Sequence, residues 1–283
     1  MKRITTIDEM RRFSRAERGR GLRLGLVPTM GALHEGHLSL VRAARKKSDV
    51  VAVSIFVNPT QFGPNEDFAK YPRDLAQDCA MLESQGVNVV FAPSTEEMYP
   101  ERAFTWVTVE GMSERLCGKS RPDHFRGVTT VVSKLFHIVE PDTAFFGQKD
   151  AAQAAIIRRM VRDLNIPVGI EVCPIVREPD GLALSSRNAY LNTQERQSAL
   201  VLYRSLCRVR ELFDRGEKES AKLIAAGKQK FDEERSVRLD YFEIVDPDSL
   251  EPLSSIAGPS LVAVAAFIGN TRLIDNIVVT ARG

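Results

Sequence analysis

The sequence predicts an α/β protein, with a doubly wound parallel sheet followed by a smaller C-terminal α+β domain. Two observations carry that expectation. Nearly continuous apolar, β-branched runs at residues 49–57 and 87–93 suit strands buried on both faces, and they alternate with segments apolar at helical intervals. From Thr193 onward the order changes to long charged helices and then three strand-like runs, the pattern of a separate α+β unit. The boundary falls in the turn-rich segment Arg177-Glu178-Pro179-Asp180-Gly181, read as a hinge, which divides the chain into domains 1–176 and 177–283.

Taken in order, Thr6 is placed to cap a helix running into Arg11-Arg12, and no chemistry is expected there. Residues 22–27 form a short apolar run that precedes Pro28-Thr29-Met30-Gly31-Ala32-Leu33-His34-Glu35-Gly36-His37 and a helical segment from Leu38. Strand, glycine-containing turn, helix is an arrangement in which ligands sit outside the carboxyl end of the strand, against the open N–H groups of the helix. Gly31 and Gly36 allow close approach of a ligand to the backbone, and His34 and His37 are two of only four histidines in the chain. The bland alternative is ordinary loop punctuation. A metalloprotease site is one residue short of its helical spacing and has no third clustered ligand.

Past the strand at 49–57, Asn58-Pro59-Thr60-Gln61 puts two amides where they could read a ligand or simply form an Asn-Pro turn. Asp74 and Asp78, four apart on the following helix, suit either Mg²⁺ or a solvated acidic face. Residues 106–109 alternate as a short strand. Arg121, His124 and Arg126 then form a cationic lead-in to a helix, suited to an anion or to solvent, and His137 falls on that helix's apolar stripe as a core residue. Gly147-Gln148-Lys149-Asp150 marks a second strand-turn-helix junction, with Gln153 one turn further on. After the strand at 168–176, Leu184-Ser185-Ser186-Arg187 is either a compact set of phosphate donors or a helix cap beside a surface arginine.

Composition narrows the classes. The chain has 283 residues, 43% hydrophobic and 27% charged, as in a globular enzyme with properly buried cores. A net charge of +2 leaves no nucleic-acid footprint. Cys79, Cys117, Cys173 and Cys207 lack C-x-x-C pairing and read as small hydrophobes in a reducing compartment. With no bilayer-length apolar run and no signal-like start, the expectation is a cytoplasmic protein with neither membrane nor nucleic-acid partner.

Residues 30–37 resemble the HIGH-type signature of nucleotidyltransferases, with Glu35 in place of the usual isoleucine. Together with Val57-Asn58-Pro59-Thr60-Gln61-Phe62, Phe146-Gly147-Gln148-Lys149-Asp150 and Leu184-Ser185-Ser186-Arg187, the resemblance is to the pantoate-beta-alanine ligases over essentially the whole chain. It implies a Rossmann-like first domain, a lid-like C-terminal domain and a homodimer. It also implies ATP with Mg²⁺, pantoate and beta-alanine as small-molecule partners in pantothenate biosynthesis. By the same resemblance His37, His34 and Lys149 are catalytic, with His37 the foremost as proton donor or charge stabiliser. ATP is expected on Met30 to His37, Gly147, Gln148, Lys149, Asp150, Val176, Leu184, Ser185, Ser186 and Arg187. Pantoate and beta-alanine are expected on Gln61, Gln153 and Asn58. Mg²⁺ is expected to ride mainly on the ATP phosphates, with Asp78 as a protein candidate. Many family members have Glu at position 148, so that position is given no acid-base role, and Ser185, Ser186 and Arg187 stand where related enzymes carry a lysine-rich KMSKS loop. A cytidylyltransferase would share the first motif but lack the amine acceptor, and a tRNA-aminoacylating enzyme would need an appended anticodon-type domain.

Overall fold

The computed structural model describes residues 1–64 and 66–280. The elements run β1 (Lys2–Ile4), α1 (Ile7–Gly19), β2 (Leu24–Thr29), α2 (Glu35–Lys47), β3 (Val50–Ile55), α3 (Leu75–Ser84), β4 (Val89–Phe91), α4 (Thr95–Met98), α5 (Cys117–Ser120), α6 (His124–Val139), β5 (Thr143–Gly147), α7 (Ala151–Asp163), β6 (Gly169–Cys173), α8 (Thr193–Ser198), α9 (Leu200–Asp214), α10 (Ser220–Asp232), β7 (Val237–Val245), β8 (Ser260–Ile268) and β9 (Thr271–Val279). Short 3-10 turns lie at Pro59–Gln61, Asp67–Ala69, Gln148–Asp150 and Ser186–Tyr190. Two compact units result. One comprises 1–113, 121–147 and 156–174; the other comprises 114–120, 148–155 and the chain from 175 onward.

The sheet of the first unit has the order β1-β4-β3-β2-β5-β6, and every pairing is parallel. Its central strands are buried along almost their whole length, which accounts for the continuous apolar runs in the sequence. From β2 the chain winds out through β3 to β4 on one side, and β5 then pairs with β2 on the other. The direction of winding therefore reverses at the β2–β5 boundary, the position where open α/β sheets leave a crevice at their carboxyl edge. Val27, Val41, Ala44, Val53, Leu82 and Phe145 pack one side of this sheet. Helix α1 begins where Thr6 accepts from the Glu9 N–H, as its sequence indicates.

The second unit has an antiparallel β7-β8-β9 sheet. Buried residues of α9 and α10 (Leu206, Val209, Leu223) and of the sheet (Phe242, Val262, Val264) form its core.

Two local expectations are corrected. Residues 106–109 are not a strand: the Val107 N–H donates to Thr130 Oγ1 at 3.0 Å, and Thr129 Oγ1 donates to the Val107 carbonyl at 2.6 Å. Helix threonines satisfy that backbone in place of a ladder, and Phe104 and Trp106 remain exposed. His137 is exposed, not in the core; its neighbours Phe136 and Ile138 are buried while its own Nδ1 lies 2.7 Å from the Ser133 carbonyl. The helical period places it just outside the stripe. Strand β1 has only three residues, too few for periodicity to register.

Gly127 sets how closely α6 approaches the 3-10 turn after β3. A Cβ there would stand 2.3 Å from the Thr60 carbonyl oxygen and 2.7 Å from the Gln61 nitrogen, both backbone atoms. Gly127→Ala is expected to destabilise the protein by about 1–3 kcal/mol, measured as a lowered urea midpoint; an unchanged midpoint would show that the turn yields at no cost.

Candidate functional site

In the first unit the site begins at the carboxyl end of β2. Gly31 (φ +81°) and Ala32 (φ +50°) both take left-handed conformations, which turns the chain sharply before α2. Asp78, buried on α3, holds that turn: Oδ2 accepts from the Ala32 N–H at 3.0 Å and Oδ1 from the Leu33 N–H at 2.8 Å. Burial pushes the Asp78 carboxyl above its ordinary range, against the opposing pull of those two amides. A Cβ on residue 31 would meet Asp78 Oδ2 at 2.8 Å, so glycine is required there on two counts.

Helix α2 then starts with a capping box made of histidines. His34 Nδ1 accepts from the Gly36 N–H at 3.1 Å, and His37 Nδ1 accepts from the His34 N–H at 3.3 Å. The two rings lie 4.1 Å apart between centroids. An Nδ1 that accepts a hydrogen bond carries no proton, so the proton of each neutral ring resides on Nε2. The spacing of three, which in the sequence reads only as a cluster, is thus the spacing of a reciprocal cap. Glu35 is exposed and pairs with Arg42, about two turns further along the same face of α2.

Beside this turn, Gln61 Nε2 donates to Met30 Sδ at 3.0 Å. Asn58, expected next to a ligand, is 1% exposed and spends its amide inside the protein: Nδ2 donates to Gln61 Oε1 at 3.2 Å and to the Gly127 carbonyl at 3.1 Å. Its Oδ1 accepts from the Tyr99 hydroxyl and the Thr60 hydroxyl, both at 3.0 Å. With both amide protons committed, Asn58 is built to orient Gln61. Arg121, expected in a cationic lead-in open to an anion or to solvent, is paired with Glu66 through Nε at 2.7 Å and Nη2 at 2.5 Å. Burial pushes the Glu66 carboxyl up, but the Arg121 hydrogen bonds and charge outweigh it and hold the group below its usual range.

Gly147 ends β5 in the first unit, and the second unit holds the remaining candidate residues. Asp275 and Asn276 on β9, both about 3% exposed, draw two segments together. Asn276 Nδ2 donates to the carbonyls of Gln148 (2.9 Å) and Lys149 (3.0 Å), while Gln148 Nε2 donates to Asn276 Oδ1 at 3.0 Å. Asp275 receives both arms of Arg177, at 2.6 and 2.9 Å. Burial pushes the Asp275 carboxyl up, against the pull of Arg177. Arg177, expected as part of a hinge, is therefore tied into this unit, where it pairs antiparallel with Ala183. The Leu184 N–H donates to the Val176 carbonyl at 3.0 Å, and Ser185 Oγ caps the short helix that presents Ser186 and Arg187. The turn Gln148-Lys149-Asp150 and the segment Val176 to Arg187 are thus both anchored to β9 or to its neighbour Arg177, with Lys149 Nζ 3.7 Å from Asp150 Oδ1. Gln153 lies half-buried in the first turns of α7.

Similarity to known proteins decides the family. The family model described as pantoate-beta-alanine ligase matches residues 2–278. The chain belongs to the pantoate-beta-alanine ligase family. It is 60% identical over 283 residues to the pantothenate synthetase of Koribacter versatilis, covering 100% of this chain and 97% of that protein. It is 59% identical over 278 residues to that of Moorella thermoacetica, covering 98% of each. The crystal structure of pantothenate synthetase from Thermus thermophilus superposes with a TM-score of 0.92 at 46% identity, over 98% of this chain and 99% of that one. The pantoate-beta-alanine ligase of Francisella tularensis, solved with beta-gamma ATP and beta-alanine, superposes with a TM-score of 0.80 at 35% identity, over 98% and 97%. The chain is accordingly an enzyme, a pantothenate-forming ligase.

The ligase turn at 30–37 owes its shape to Asp78, the residue that the sequence offers as a Mg²⁺ candidate. With both carboxylate oxygens engaged by backbone amides, that side chain acts as a clamp. Among the described residues no group of three or more His, Cys, Asp or Glu side chains converges to hold a metal ion. Sequence reading missed the supporting roles of Asp78, Asp275 and Asn276; for Asp275 and Asn276 the one available signal was their polarity inside an otherwise apolar strand pattern, and Asp78 gave none.

Asn276→Ala leaves the Gln148 and Lys149 carbonyls without their shared donor and is expected to cost about 1–3 kcal/mol, seen as a lower denaturation midpoint. For Glu66 the folded-state pKa lies below the unfolded one, so the Arg121 contact contributes fully above the ordinary glutamate range and is lost as pH falls through the lowered folded value. Limited proteolysis within residues 62–73 is expected to stay slow from neutral pH into that range and to accelerate only below it.

Proposed function

We propose that the enzyme joins pantoate to beta-alanine in two steps through a bound pantoyl adenylate. A pantoate carboxylate oxygen attacks the α-phosphorus of ATP, forming the acyl-phosphate bond and releasing pyrophosphate. The amine of beta-alanine then attacks the acyl carbon, AMP leaves with the bonding pair, and the amine nitrogen gives up its extra proton as the amide forms. A carboxylate does not condense with an amine at neutral pH, so ATP supplies the activation.

One observation carries this reading: the histidine capping box sits on the positive end of α2 beside Gln61, which is anchored to the same turn through Met30. The Nε2 protons of His34 and His37 are suited to donate to phosphate oxygens, with His37 as the principal donor where charge develops during adenylation. Gln61, held from behind by Asn58, suits the hydroxyls and carboxylate of pantoate. In the second unit, Lys149 and the Ser185-Ser186-Arg187 hydroxyl and guanidinium groups supply donors for the triphosphate, with Gln153 as a further pantoate contact and Asp150 for the ribose. Support for the nucleotide and the amine as substrates comes from the Francisella tularensis ligase, solved with beta-gamma ATP and beta-alanine.

The family resemblance supports Mg²⁺ carried by the ATP phosphates, where it would offset their charge. The family resemblance also supports a homodimer, a cytoplasmic setting and a lid-like role for a domain spanning 177–283, whose closure would exclude water from the adenylate.

Pyrophosphate release from Mg-ATP decides between this route and others. With pantoate alone the expected result is a burst matching the enzyme concentration, which beta-alanine converts to sustained turnover. A pantoate-independent burst, or none until the amine is present, would overturn the adenylate. In single-turnover assays His37→Ala is expected to slow adenylation by about a hundredfold or more, and Gln61→Ala to act mainly on pantoate binding.

A further inference from the structure

The motif Arg121-Pro122-Asp123-His124 reads in the sequence as a cationic lead-in, and the ligase chemistry leaves it unused. In the structure it forms a chain that ends on the main chain of Gln61. His124 Nδ1 lies 2.8 Å and Arg121 Nη2 3.3 Å from the Gln61 carbonyl oxygen. Arg121 Nη1 lies 3.0 Å from His124 Nε2, and the far side of the guanidinium grips Glu66 through two nitrogens. Both members of that ion pair are largely withdrawn from solvent, with Arg121 15% and Glu66 26% exposed at the side chain.

These contacts dictate proton positions. A carbonyl oxygen only accepts, so His124 Nδ1 carries the proton; a guanidinium only donates, so Nε2 is the acceptor. His124 is therefore held as one neutral tautomer between Arg121 and Gln61. The charge of Arg121 is committed to Glu66, which removes it from service as an anion site and makes it an anchor.

We propose that Arg121 and His124 are positioning residues for pantoate, fixing the Gln61 main chain while Asn58 fixes its side-chain amide. Gln61 is held at two points by separate groups: the amide oxygen by Asn58 Nδ2 at 3.2 Å and the carbonyl oxygen by His124 and Arg121. Its amide nitrogen is then left on the side of Met30 and the turn at the end of β2. Loss of either hold frees a rotation of the peptide or of the side chain, and a glutamine that must first be ordered binds its ligand more weakly. Glu66 extends the same chain into the segment 62–73, so its pairing with Arg121 ties that segment to the position of Gln61.

This inference rests on the assignment of Gln61 to pantoate, and the test separates the two. Steady-state kinetics on the purified full chain compare Gln61→Ala, His124→Ala, His124→Asn and Arg121→Gln, with thermal melting of each variant. His124→Ala is expected to raise the pantoate KM about tenfold while kcat and the ATP KM stay within about twofold to threefold. His124→Asn places an amide N–H where Nδ1 stood and is expected to recover most of that loss. Arg121→Gln provides the same readout should His124→Ala fail to fold. A folded His124→Ala or Arg121→Gln enzyme with an unchanged pantoate KM, or with a fall in kcat alone, overturns the positioning role while a raised pantoate KM in Gln61→Ala leaves the site reading standing. No pantoate effect from Gln61→Ala overturns the site reading and, with it, this inference.

Discussion

The grip of one buried carboxylate on two backbone amides shapes the turn that carries His34 and His37. Without Asp78, the N–H groups of Ala32 and Leu33 would be turned into the protein unpaired, in a loop already carrying two left-handed residues. The clamp sets where α2 begins, and the start of α2 sets where His34 and His37 stand. Two histidines that cap their own helix through Nδ1 have their rotamers and tautomers fixed before any substrate arrives. Preorganisation of this sort puts the cost of ordering into folding, where the apolar core of the sheet offsets it, and spares it at the chemical step.

A parallel logic operates in the second unit. Asp275 and Asn276 stand on a strand whose other inward positions are apolar, and each serves segments far away in sequence: Asp275 holds Arg177 and Asn276 holds the Gln148-Lys149 turn. The cohesion of these loops thus comes from polar groups on regular structure behind them, which leaves their own side chains uncommitted to it. Asn58, Arg121 and His124 do the same for Gln61 in the first unit. In each case the held group is supported by side chains that are buried or half-buried and hydrogen-bonded, the condition under which a polar side chain inside a protein adds rigidity.

Such support explains why motif positions and supporting positions differ in legibility. Strands β2, β3 and β4 announce themselves by near-continuous burial, and the glycine turn after β2 by its punctuation. The pair His34 and His37 is visible as a cluster, though its spacing of three encodes a cap. Residues 106–109 show the limit of periodicity, since their alternation matches a strand while their backbone partners are two threonines of α6. His137 errs the other way, one position away from a stripe that its spacing approaches but does not join.

The α/β class of the chain and the central buried strands of its sheet were determined by the sequence itself, because each is a property of neighbours within a few residues. Tertiary structure alone decided what Asp78, Asn58, Arg121, His124, Asp275 and Asn276 do. Each has at least one partner tens of residues away along the chain, and the identity of a hydrogen-bond partner is a distance in space that no local spacing records. An aspartate on an exposed-looking helix pattern reads as a solvated charge or a metal ligand until the loop it holds is seen beside it.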